Sequence, residues 1–212
     1  MKPTPAELRA LARRDPQLGR ALKRLPPFPG FPERGHPRQR SHFASLSSAI
    51  VYQQLATKAA ETIWKRVCAL DGGRAFPEPA LFLAHPDEHL RAAGLSRGKI
   101  AALRDLCTRI EEGRLVLARL SRLSDERVVE ELVEVRGIGR WSAQMFLMFR
   151  LGRLDVLADG DLGVQEGLRL LDGLSGRPSA AQVAERARVW SPLASVGCWA
   201  MWRLVDEQRA AR

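Results

Sequence analysis

The chain has 212 residues, 45% hydrophobic and 27% charged, which suits a globular protein with one large core or two small ones. No apolar run approaches the roughly 18 residues a bilayer span needs, and the separated Cys68, Cys107 and Cys198 argue against a disulfide framework, a zinc site or a four-cysteine iron–sulfur cluster. The net charge is +10, and residues 1–40 hold ten Lys/Arg against Glu7, Asp15 and Glu33, so most of the excess sits there. Such an excess favours a polyanion, most often nucleic acid. A solvated basic face or a compositional bias toward arginine is the alternative. The opening MKPTPAELRALARRD lacks the apolar stretch of a secretory signal, so a reducing cytoplasm is the expected compartment.

Helical periodicity dominates in chain order. Two short helices are expected over 4–14 and 15–25, with Thr4 capping the first ahead of Pro5. PPFPGFPERGHPR (26–38) reads as a linker. Helices follow over 41–55 and 57–70, the second placing Ala60, Ile63, Trp64 and Val67 on one face. DGGRAFPEPA (71–80) reads as a loop, and a short helix over 86–93 ends at Gly94. Ser96 caps a helix that aligns Ile100, Leu103, Leu106, Cys107 and Ile110. Ser124 caps another, with Asp125 and Glu126 in its first turn, where the helix dipole favours negative charge. Further helices lie near 161–172, 179–190 and 192–208, the last carrying Leu193, Val196, Gly197, Ala200, Met201 and Leu204 at helical spacing. No stretch alternates as a strand does. The expected fold is all-α, with two helical lobes, because the Pro-rich linker separates a basic N-terminal helix pair from the main body.

Between two of these helices stands Val135-Arg136-Gly137-Ile138-Gly139. Two glycines permit backbone conformations closed to other residues. Amides at the start of the next helix, from Gly137, Gly139, Arg140 and Trp141, lack partners inside that helix and suit a phosphate. The other reading is a tight helical hairpin with no ligand. Three aspartates follow, Asp155, Asp159 and Asp161.

The stretch LVEVRGIGRWSAQMFLMFRLGRLDVLADGDLG resembles the helix–hairpin–helix, Gly/Pro-loop and Asp signature of the DNA base-excision glycosylases. SSAIVYQQLATKAAETIWKRV, LRAAGLSRGKIAALRDL and WSPLASVGCWAMWRL are similar to further segments of the DNA-3-methyladenine glycosylase II group, in the same order. The likeness is to a minimal form without an N-terminal β-domain; it implies a single all-α helix–hairpin–helix glycosylase domain over 1–212, with a central cleft between one lobe of about 36–150 and another of about 1–35 with 151–212, and places the hairpin at about 124–150. It implies a monofunctional hydrolase that flips alkylated bases out of double-stranded DNA and leaves an abasic site, acting as a monomer in the cytoplasm on nucleoid DNA. A non-catalytic helix–hairpin–helix binding module is the rival reading, and a helical protein-interaction domain a third.

The resemblance also assigns residues. Anchoring on Leu162-Gly163 makes Asp161 the catalytic carboxylate, with Asp159 as possible assistant and Asp155 as a structural cap or arginine partner. Ala158 stands where the family has proline, and Asp159-Gly160 where it commonly has a hydrophobic-Asp pair. Trp141 occupies the position of the Schiff-base lysine of bifunctional relatives, and no lysine follows Lys99. Trp141, Tyr52 and Leu193 are the base-pocket candidates, against plain core packing for the first two. Gln53, Gln54 and Leu55 are the wedge candidates, Gln54 foremost and Leu55 second, against a plain polar helix terminus. Gly137, Gly139, Arg140 and Ser142 would meet phosphate; apart from the resemblance, Lys58, Arg97 and Lys99 are further phosphate candidates, with solvated surface charge the equal alternative. The resemblance implies no required cofactor, although backbone carbonyls of Val133, Val135 and Ile138 would suit a structural Na+ or K+. Trp190, Trp199 and Trp202 are expected to pack between the lobes.

Overall fold

The computed structural model describes residues 1–32, 41–73 and 75–211. Among the described residues there is no β-strand. The chain divides into two compact units, Met1–Arg34 with Leu147–Arg212, and Gly35–Phe146.

The first unit is built on its C-terminal helix. Helix α1 (Pro5–Arg14) opens with a capping box between Thr4 and Glu7. Asp15 then ends α1 and caps α2 (Pro16–Arg24), its carboxylate accepting the Leu18 N–H at 3.0 Å. A π-helical turn spans Leu147–Leu151, and α10 (Leu162–Asp172) and α11 (Ala180–Arg186) follow it, the latter running into a 3-10 turn, Ala187–Trp190. Helix α12 (Ala194–Ala210) buries every residue from Ala194 to Met201. Helix α10 lies close against it, since a β-carbon on Gly167 would stand 2.5 Å from Met201 Cα.

Asp15 also ties the basic N-terminal helices into this unit. Its buried Oδ2 accepts from Trp190 Nε1 at 2.8 Å and Arg186 Nη1 at 2.7 Å. Arg186 bridges onward to Asp172 at 2.8 Å. The described part of the expected linker is also packed: Phe28 and Phe31 are buried, and Phe28 meets Trp199 edge-on at 5.4 Å. Prolines stop a helix there, yet the aromatics between them still gain by leaving water. Residues 33–38 of that linker lie outside the described residues.

The second unit contains α3 (His42–Tyr52), α4 (Thr57–Cys68), α5 (Pro79–Ala84), α6 (Asp87–Ala92), α7 (Arg97–Glu111), a 3-10 turn Leu117–Arg122, α8 (Asp125–Val133) and α9 (Arg140–Phe146). Ser41, Ser96 and Ser124 cap α3, α7 and α8 through their hydroxyls. The core gathers Leu46, Ile50, Phe82, Leu90, Leu103, Leu106, Leu120 and Leu132, all essentially inaccessible. Arg104 holds the α5–α6 corner by donating to the Leu83 and His85 carbonyls at 3.1 and 2.7 Å and to Asp87.

Three local expectations change. Helix α5 begins inside the stretch read as a loop, where Pro79 is well placed at a helix start. Helix α3 stops at Tyr52 rather than at 55, because Gln53 leaves the helical region with ψ 132° and Gln54 is left-handed. The helix after the turn changes to π geometry at Leu147, three residues before the expected end of the hairpin at 150.

Candidate functional site

The hairpin belongs to the second unit. Val135 and Ile138 are buried, and Ile138 N–H donates to the Val135 carbonyl at 3.0 Å, closing the turn. Gly137 has φ +80°, a conformation that explains its identity. Asp105 supports the turn from α7, accepting the Arg136 N–H at 2.8 Å. Gly137, Gly139, Arg140 and Trp141 are exposed, so the start of α9 opens to solvent. Ser142 is instead buried, which sets it apart from the other phosphate candidates. Among the cation candidates, Val133 is exposed while Val135 and Ile138 are buried.

The Gln53-Gln54-Leu55 turn divides its residues between two tasks. Gln53 Nε2 donates to the Gly137 carbonyl at 2.9 Å, fastening this turn to the hairpin. Gln54 has φ +55°, the single non-glycine with positive φ among the described residues, and is exposed beside half-exposed Leu55. Such a backbone costs of order 1–2 kcal/mol for a residue with a β-carbon, and strain of this kind collects at functional sites. Lys99 is not a solvated charge: its ammonium donates to the Val51 carbonyl at 2.7 Å, and burial pushes its pKa down. Lys58 and Arg97 are exposed. Trp141 is 50% exposed and Tyr52 is partly buried.

The carboxylates belong to the first unit, on a loop held by α12. Asp155 is structural: Oδ2 accepts from the Ser191 hydroxyl at 2.7 Å and Oδ1 from the Ala194 N–H at 3.1 Å, capping that helix. The Ser195 hydroxyl donates to the Arg153 carbonyl at 2.9 Å and accepts the Val156 N–H at 3.0 Å. Cys198 accepts the Ala158 N–H at 3.5 Å. Burial, reinforced by Asp161 and Asp159, pushes its thiol up to about 12, so it is an uncharged support rather than a nucleophile.

Asp161 caps α10. Its Oδ1 accepts the Val164 N–H at 2.8 Å and Trp202 Nε1 at 2.8 Å. Asp159 is differently engaged: its carboxylate accepts the Gly160 N–H at 3.1 Å, and its carbonyl accepts Gln165 Nε2 at 3.1 Å. Leu193 is buried as the residue before α12. The three tryptophans have described contacts inside this unit: Trp190 on Asp15, Trp199 on Phe28, Trp202 on Asp161 and Phe149. Ser195, Cys198 and Trp202 were absent from the expected site. Their spacing of three and four along a helix was the available signal, hidden because the partner loop lies about 40 residues away.

A family model described as the HhH-GPD superfamily of base excision DNA repair proteins matches residues 47–192. The chain belongs to this superfamily. It is 31% identical over 166 residues to DNA-3-methyladenine glycosylase 1 of Schizosaccharomyces pombe, covering 78% of this chain and 73% of that protein. Its structure is similar to a crystal structure of a DNA-3-methyladenine glycosidase from Bacillus halodurans, with TM-score 0.84 and 35% identity over 98% of this chain and 92% of the other. A 3-methyladenine DNA glycosylase of the same fission yeast in complex with abasic DNA matches with TM-score 0.77 and 28% identity, covering 93% and 95%. The superfamily match spans the Gln53–Leu55 turn, the hairpin and Asp161, but ends before Trp202. Among the described residues no helix is long and apolar enough to cross a membrane, and no His/Cys/Asp/Glu cluster could hold a metal.

Proposed function

We propose that this superfamily member is a monofunctional DNA N-glycosylase that excises alkylated, mostly cationic bases by hydrolysis and leaves an abasic site. Its relatives are named for 3-methyladenine in DNA, and one was solved on abasic DNA. The observation that carries the assignment of the chemistry is Asp161, fixed at a helix N-terminus by two N–H donors.

The reaction requires little acid catalysis. A base already cationic departs with the electrons of the C1′–N bond and becomes neutral. The sugar left behind is oxocarbenium-like, and an ionised Asp161 stabilises it electrostatically. A water oxygen then bonds to C1′ and gives its proton to the carboxylate. Asp159 is an assistant at most, since its side chain bonds to its own loop. With Trp141 in place of the Schiff-base lysine, no covalent sugar–enzyme intermediate is formed and the strand is left uncut.

The nucleotide must leave the stack before C1′ is accessible. Gln54 is the wedge, supported by its exposure and strained backbone, with Leu55 beside it; Gln53 holds the turn in place. Trp141 offers a half-exposed indole face, which attracts a cationic base over a neutral one. Tyr52 and Leu193 are the remaining pocket candidates. The amides of Gly139 and Arg140 at the exposed start of α9 take a backbone phosphate. No cofactor is required. The carbonyls of Val133, Val135 and Ile138 are uncharged oxygens in a closed turn, a donor set that fits Na+ or K+, which would supply positive charge toward that phosphate. The enzyme acts as a monomer on cytoplasmic, nucleoid-associated DNA.

The test is incubation with duplexes that each carry one of 3-methyladenine, 7-methylguanine, 1-methyladenine, 3-methylcytosine or ethenoadenine. Free base should appear, with strand cleavage only after alkali. Salt-dependent duplex binding without base release from any of the five would establish a binding module instead.

A further inference from the structure

We infer that Trp202 is a positioning residue for this reaction, and that Gly163 is glycine so that the Trp202 indole can reach the Asp161 carboxylate. This rests on Asp161 being the group that faces the sugar.

A helix-capping aspartate needs only one bond, from the backbone two or three residues on, and Asp161 has it from Val164. That bond alone leaves the carboxylate torsion loosely set, because such sp³–sp² torsions have broad minima. The second donor comes from another helix. Trp202 Nε1 reaches the same Oδ1 at 2.8 Å and so fixes the carboxylate from a second direction. Both donors are uncharged, so they orient the group without cancelling the charge the sugar needs. The indole is itself held, stacked on Phe149 with ring centroids 5.7 Å apart and planes inclined by 28°.

Gly163 completes the arrangement. Its backbone is not in the left-handed region, so conformation does not require glycine there. Glycine inside a helix costs about 1 kcal/mol relative to alanine. The reason is space: a β-carbon at 163 would stand 2.8 Å from Trp202 Cδ1, 3.2 Å from Trp202 Nε1 and 3.0 Å from Asp161 Oδ1. It would press on donor and acceptor together. One turn later, Gly167 brings α10 against Met201, the residue before Trp202. The two glycines therefore set the approach of the helix that carries the carboxylate to the helix that orients it.

The test is single-turnover base release from duplex DNA methylated with dimethyl sulfate, with duplex affinity measured in parallel. Trp202→Phe keeps a ring and removes the N–H; it should lower the rate roughly 10- to 100-fold, the scale of a small misplacement of a catalytic group, with duplex affinity unchanged. Replacement of Trp202 by benzothienylalanine, which keeps the ring shape and has no donor, should reproduce that loss even if phenylalanine disturbs packing. Gly163→Ala should lose rate in the same way. In an Asp161→Asn background, Trp202→Phe should cost nothing further, because the two residues act as one unit. A wild-type rate for the benzothienylalanine protein, or a full further loss in the Asp161→Asn background, would overturn the positioning role. A wild-type rate for Asp161→Asn alone would instead overturn the assignment of Asp161.

Discussion

Asp15→Ala tests whether the basic N-terminal helices are an integral part of the first unit. The carboxylate caps α2, receives the buried Trp190 N–H and pairs with Arg186. Loss of a helix cap costs about 1 kcal/mol. The Trp190 indole N–H, left buried without its acceptor, costs about 1–2 kcal/mol more. The Arg186 contribution is discounted to about 1 kcal/mol, because that side chain is 28% exposed and keeps Asp172. The total is about 3–4 kcal/mol, which lowers Tm by roughly 6–16 °C for a chain of this size. Circular dichroism melts at neutral pH measure it. There is also a pH signature. Burial pushes the Asp15 carboxyl up, but Arg186 and the Leu18 and Trp190 N–H groups outweigh it, and the net shift is below the ordinary 3.8. A carboxyl lowered on folding stabilises fully above its unfolded pKa, and that stability is lost as pH falls through the folded value. The wild-type advantage over Asp15→Ala should therefore hold above about pH 4 and shrink below it. A Tm drop under 2 °C at pH 7, or an advantage that grows toward acid, would refute the reasoning.

The other predictions concern backbone, packing and DNA. Gln54→Gly removes an αL penalty of about 1 kcal/mol; melting should show a protein at least as stable as wild type, while stopped-flow fluorescence of a 2-aminopurine duplex should show impaired flipping. Gly167→Ala puts a β-carbon 2.5 Å from Met201 Cα, and overpacking of this kind costs about 1–3 kcal/mol, visible as a lower urea midpoint. Arg140→Ala removes one exposed charge at the start of α9, and should reduce the slope of log affinity for duplex DNA against log salt by about 1 in a fluorescence anisotropy titration.

Local signals carried the fold a long way. Thr4, Ser96 and Ser124 each sit one residue before a helix and accept a backbone N–H within its first turn, as their chemistry predicts from neighbours in the chain. The hairpin was equally legible, because glycines between two apolar-patterned segments report a turn directly. What escaped was set by tertiary contact. Phe28 and Phe31 lie in a proline-rich stretch whose composition suggests a linker, and only the fold reveals that Trp199 meets the first and Phe149 the second. Helix α3 has a helical sequence through Leu55, but the Gln53 bond to Gly137 belongs to a turn 84 residues on. Asp161 was marked by its Leu-Gly neighbours, whereas the reason for that glycine lies 41 residues from Asp161, in an indole that resembles any other core tryptophan in the sequence.

The central claim is that Asp161 carries the chemistry. Single-turnover release of 7-methylguanine from duplex DNA by wild-type enzyme and by Asp161→Asn, with duplex affinity measured on both, tests it most directly. The account predicts loss of at least 100-fold in rate, about 2.7 kcal/mol of transition-state stabilisation, with affinity within a few-fold of wild type. Release by Asp161→Asn at the wild-type rate would contradict it.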